Sequence, residues 1–217
     1  MVLDALDYPS RPVGIQPLRL LVDVIIRPDR ALAAIAARRA WRSAIGIALC
    51  GSVIQAALLS LLPFHRPSMA GLPVGIASRL LFSSWSPLLF AVFALPMLLV
   101  VSALYLVAGK LWGGRGSYPA VLAVAGYAQV PSVLLTPFLF AGSALLAAPG
   151  IPQFATPWMF MAIGMWPLVL VVIGLRHAHR LTAVHSLMSL LLAMGMLDVV
   201  MFAAFLVIVL VGFARLG

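Results

Sequence analysis

Several windows of about 20 residues in this 217-residue chain contain no charged side chain, and that feature limits the chain more than any other. A soluble helix needs a polar face. An uncharged apolar run of ~20 residues, at ~1.5 Å per residue, instead reaches across a ~30 Å hydrocarbon layer. The composition agrees: 64% of residues are hydrophobic, 9% are charged, and the mean hydropathy is +1.16.

Five crossings are expected, at about 43–62, 85–108, 119–147, 158–175 and 189–213. The fold class is therefore all-α, a polytopic integral membrane protein with its membrane domain over 43–217. Residues 1–17 read as a flexible segment, with Asp4, Asp7, Pro9, Pro12, Gly14 and Pro17 and no continuous apolar core of the kind a cleaved signal needs. Residues 18–42 read as two short amphipathic juxtamembrane helices, Leu18 to Ile26 and Ala31 to Ala37. In the first, Leu18, Leu21, Val22 and Ile25 share a face that excludes Arg19, Asp23 and Arg27. Such a helix either lies in the headgroup layer or packs on the bundle. Pro28 and Asp29 suit the first turn of the second helix.

Within the spans, Ala44, Ala48, Ser52, Ala56 and Ser60 recur every four residues, a small-residue stripe that lets another helix approach closely. A Pro- and Gly-rich loop from Pro63 to Ser84 follows and Trp85 closes it at the interface. Pro87 then falls in a first turn, while Pro96 and Pro167 are expected to kink or interrupt the second and fourth spans. The third span is the least ordinary. Ala120 to Phe140 reads AVLAVAGYAQVPSVLLTPFLF, with Gly126, Tyr127, Gln129, Pro131 and Pro137 where a plain anchor would carry only Leu, Ile and Val. It is a helix built to be broken.

The charges set orientation. Lys and Arg number 7 before the first span, 2 between the second and third and 2 between the fourth and fifth, against 2, 0 and 1 on the other side. That bias, 11 against 3, places the N-terminus in the cytoplasm and the C-terminus outside. The formal charge of +9 is thereby explained by topology and by anionic lipid, and nucleic acid is not an expected partner. Cys50 is the only cysteine, which excludes an intramolecular disulfide and a cysteine metal site; it reads as a small buried thiol.

Asp198 is the only acid inside a span, about nine residues into the fifth. A carboxylate there costs several kcal/mol unless it is paired, so it is a candidate for function. Gln129 and Gln55 fall at a similar depth. Asp198 with Gln129 or Gln55, and Tyr127, is a candidate intramembrane polar centre; the competing reading is interhelical hydrogen bonding that only fixes packing. No catalytic residue is expected: there is no Glu in the chain, and no His inside a span to serve a Ser as base. Nor is a metal or cofactor site. His177 and His179 do not share a helical face, Arg176 and Arg180 flank them, and with His185 they read as solvated. Trp41, Trp85, Trp112 and Trp158 stand at span ends as an interfacial belt.

The run Gly126-Tyr127-Ala128-Gln129-Val130-Pro131 resembles the third-span signature of the Yip family, the Ypt/Rab-interacting five-span membrane proteins, in its bacterial branch. Arg27-Pro28-Asp29-Arg30-Ala31 with Arg38-Arg39-Ala40-Trp41, and Trp85-Ser86-Pro87-Leu88-Leu89 opening the second span, agree with it. Ser83 and Ser86 stand where the family's acidic element has Asp and Gly. The resemblance implies a multi-pass protein of the bacterial inner membrane. Eukaryotic relatives bind prenylated small GTPases; without the acidic element such a partner is not expected here. The reading is a non-enzymatic scaffold, interaction or lipid-organising component, homo-oligomeric or bound to other membrane proteins, with the stripe of the first span as a pairing face. The alternative is a small transporter or channel-like protein with its polar site around Asp198.

Overall fold

The computed structural model describes residues 16–61, 86–137 and 155–214, and these are helical apart from short turns. The expected loop from Pro63 to Ser84, Trp85, residues 138–154 with the end of the third expected crossing, and most of the expected flexible segment lie outside the described residues. Helices are what a chain this apolar must form, because in hydrocarbon every backbone N–H and C=O has to be satisfied within its own segment.

Helices α1 (Gln16–Ile26) and α2 (Pro28–Arg38) form a hairpin bent at Arg27. Pro28 fits the start of α2, where its missing N–H costs nothing, and Asp29 complements the positive end of the helix. The helix stops at Arg39, which takes the left-handed conformation (φ 50°), while the Ala40 N–H reaches back to the Ile35 carbonyl. Leu20 and Val24 of α1, with Leu32 and Ile35 of α2, enter the core. Leu21, of the apolar face read from the sequence, packs partly against that core. Val22, Ile25 and Ile26 point outward, because Leu20 and Val24 are the residues that meet the bundle.

Helix α3 (Trp41–Leu61) occupies the position of the first expected crossing. Helix α4 (Ser86–Leu111) carries the second, and Pro96 lies inside it without ending it. Helix α5 (Tyr118–Tyr127), a turn at Ala128 and Gln129, and the helix over 130–137, here α6, form the third. Helix α7 (Ala155–His179) runs through Pro167 unbroken, and α8 (Ala183–Ala214) is the longest. Among the described residues three stretches are long and apolar enough to cross a membrane: Val92–Leu111, Tyr118–Pro137 and Ala183–Val211.

Helix α5 is the hub. Every residue from Ala120 to Ala128 is buried, against α2, α3, α4 and α7. Its small residues make this possible: a Cβ on Gly126 would stand 2.6 Å from the Ala44 Cβ and 2.8 Å from its carbonyl oxygen. Close approach of this kind is how helices associate in lipid, where apolar burial supplies little driving force. Helix α8 is the opposite case. It touches α4 and α7 along one side, and Val199, Phe202, Phe205, Val207 and Leu210 are exposed along the other.

Candidate functional site

The third span breaks where its sequence demands. Pro131 has no N–H to offer the Tyr127 carbonyl, so the ladder opens there. The Gln129 N–H closes a tighter turn onto the Gly126 carbonyl at 3.2 Å, and the helix resumes with the Val133 N–H on the Gln129 carbonyl at 3.1 Å. Pro131 itself is buried, and the break turns Gln129 out of the core to an exposed position. On the other side of the break Tyr127 is 1% exposed. Its hydroxyl donates to Ser43 Oγ at 3.0 Å, and Ser43 donates in turn to the Ala40 carbonyl at 2.9 Å. That relay ties the broken hub to the start of α3.

Beside the break a cleft of about 200 Å³ opens between α3 and α4. Ser52, Gln55, Gln129 and Tyr105 supply its polar wall; Met97, Leu98 and Val133 are among its apolar lining. Gln55 donates from Nε2 to Thr136 Oγ1 across a long 3.4 Å bond, and Thr136 donates to the Ser132 carbonyl. Two amides and two hydroxyls facing a half-open apolar slot can hydrogen-bond a polar group within the membrane layer, but they offer no acid or base.

The structure thus brings together part of the polar centre read from the sequence. Gln55 and Gln129 share the cleft, while Tyr127 belongs to the α3 relay on the buried side of the break. Asp198 is outside the cleft lining: it lies on the exposed side of α8, with no hydrogen-bond partner among the described residues. Of the small-residue stripe, Ala44 is fully buried against Gly126, while Ala48 and Ser52 line the cleft. This end of the stripe is used inside the chain. The side chains of Ala56 and Ser60, and that of Pro87 in the first turn of α4, lie outside the described residues. Cys50, expected buried, is exposed, since it lies off the stripe that faces α4 and α5.

A second polar cluster sits where α2 meets the end of α7. Asp29 accepts from His177 Nε2 at 2.9 Å and lies 3.6 Å from Arg176. Thr182 begins α8 by accepting the His185 N–H at 3.3 Å. His179, expected in solvent with His177 and His185, is instead 1% exposed. Sequence reasoning missed it because the residues that enclose it are glycines, which leave no hydropathy signal. Among the described residues no group of three His, Cys, Asp or Glu side chains is placed to hold a metal.

The Yip1 domain model matches residues 22–214, which covers both polar clusters, the broken third span and all eight helices except the start of α1. No curated protein and no solved structure matches the chain. The match spans most of the sequence, and the Gly126-Tyr127 pair with Pro131 has a physical role at its centre; the chain belongs to the Yip1 domain family of helical membrane proteins.

Proposed function

We propose that this protein is a non-enzymatic scaffold of the bacterial inner membrane that crosses the bilayer five times and assembles laterally with a second copy of itself through α8. In this reading α3 and α7 are the first and fourth crossings, residues 18–42 form a basic juxtamembrane apron, and the N-terminus is cytoplasmic. The 11-to-3 bias of Lys and Arg supports that orientation. Arg27, Arg30, Arg39 and Arg42 are exposed around the α1–α2 hairpin, close to the exposed Val22, Ile25 and Ile26. That combination suits an anionic headgroup layer.

The observation that carries assembly is Asp198. It stands midway along the 32-residue α8, on a face whose neighbours Val199 and Phe202 are 69% and 64% exposed. A carboxyl group in hydrocarbon needs a partner. A two-fold pairing of α8 sets Asp198 opposite its own copy, where the two carboxyl groups can hydrogen-bond, and the open space beside Gly195 one turn earlier allows close approach. Photocrosslinking from position 202 in native membranes tests this. The expected product is a dimer of the chain that Asp198→Leu weakens severalfold. Adducts to lipid alone, or to a different protein alone, contradict self-assembly.

A transport reading draws support from the cleft beside Gln55 and Gln129. Its site is then the amide-lined slot rather than Asp198, and Gln55→Leu with Gln129→Leu would abolish solute flux in vesicles without loss of protein.

A further inference from the structure

A histidine that ends a helix between two arginines belongs, by composition, in water. His179 is instead 1% exposed, and neither Nδ1 nor Nε2 has a hydrogen-bond partner among the described residues. The ring is enclosed by the turn that joins α4 to α5. A Cβ on Gly109 would stand 2.5 Å from ring Cε1, one on Gly114 2.7 Å from Nδ1, and one on Gly116 2.6 Å from Nδ1. Only bare backbone fits at these three positions while the ring is in place. The turn is also tied to the histidine's own main chain. The Arg115 N–H donates to the His179 carbonyl at 3.1 Å, and the Gly114 N–H to the Gly109 carbonyl at 2.9 Å. Gly113, at φ +77°, makes the reversal possible.

The surroundings are cationic. Lys110 at the end of α4 acts directly on the imidazole. Arg115 lies in the turn, Arg176 and Arg180 flank His179 in its own segment, and α8 contributes His185, stacked on Trp112 of the turn at 5.5 Å between centroids. The acid that α2 brings to this end, Asp29, is engaged by His177 and Arg176. Among the described residues Lys110 is the charge that acts on the His179 ring, and no carboxylate offsets it.

We propose that His179 is a proton-operated latch: neutral, its ring fills the glycine cage and holds the α4–α5 turn on the end of α7; protonated, it leaves the cage and releases the turn. Burial first, and Lys110 second, hold the caged ring below its ordinary pKa of 6.5. The sign follows. A released ring takes up a proton near 6.5 and a caged ring only at lower pH, so closure is fully favoured above 6.5 and is lost as pH falls towards the caged value. Across that interval one proton makes release about tenfold easier per pH unit.

Hydrogen exchange on the full chain in lipid nanodiscs, corrected for the intrinsic effect of pH, reads the latch directly. Protection of the segment 112–117 is expected to fall by up to about tenfold per unit below pH 6.5, while α5 stays protected. His179→Phe, which keeps a ring but cannot bind a proton, removes that dependence; His177→Asn and His185→Asn keep it. Lys110→Met leaves the onset near pH 6.5 but makes the total loss smaller and ends it at a higher pH, because the neighbouring charge that lowers the caged pKa is gone. Flat protection in the wild type, or an unchanged pH profile in His179→Phe, overturns the proposal. Should His179→Phe fail to fold, Lys110→Met decides: a total loss of protection at low pH as large as in the wild type refutes the latch.

Discussion

At the residue scale the fold turns on contacts that leave no room. Gly126 and Ala44 meet with a built Cβ only 2.6 Å from another carbon, and the main chain of Ala44 lies within 3.0 Å as well, so the neighbour cannot rotate away. Gly195 on α8 has nothing within 4 Å. Gly126→Val is therefore expected to destabilise the protein by about 1–3 kcal/mol or more through overpacking, whereas Gly195→Ala should be nearly neutral. Thermal unfolding in detergent compares the two. The importance of Gly126 was legible in the sequence because a glycine beside Tyr127 and Pro131 has no place in a plain anchor. The burial of His179 was not legible: its enclosure depends on Gly109 at the end of α4 and on Gly114 and Gly116 of the turn that follows, and its Arg neighbours in sequence gave the opposite signal. Asp198 stands on the exposed side of α8, which was not legible in the sequence either, because depth along a helix says nothing about which side it faces.

At the scale of elements, hydropathy finds where a helix lies in lipid but not where the helix ends. Helix α8 was expected from about 189 and begins at Ala183. Residues 183–188 are polar enough to read as connector, yet Thr182 caps them, and Ser186 and Ser189 return their hydroxyl protons to carbonyls one turn back. Helix α7 likewise runs on to His179. The prolines divide in an instructive way. Pro96 and Pro167 lie within continuous helices, whereas Pro131, preceded by the Gln129-to-Gly126 turn, coincides with a break. Pro131→Ala supplies the missing N–H to the Tyr127 carbonyl and should convert 128–130 to regular helix. Hydrogen exchange then shows slower exchange at these positions, and labelling of a Gln129→Cys reporter, in a Cys50→Ser background, falls as the side chain withdraws from its exposed position. Unchanged exchange and labelling would mean that packing, not the proline, makes the break.

At the scale of the molecule, the arrangement is a buried hub wrapped by neighbours, with one long helix left on the outside. The hub is α5, made thin by Ala and Gly so that α2, α3, α4 and α7 can close on it. Helix α8 leans on two partners and presents the rest of its surface outward, and for that reason the proposed assembly uses it and not the stripe of α3, whose Ala44 is already occupied. The proposed five-crossing layout would set Asp198 at mid-membrane and the His179 corner at the cytoplasmic side. It is tested most directly by reporter fusions at the two ends of the full chain in the inner membrane of a Gram-negative host. The account predicts a fluorescent green fluorescent protein at the N-terminus and an active alkaline phosphatase at the C-terminus. Both ends reporting from the same compartment would contradict it.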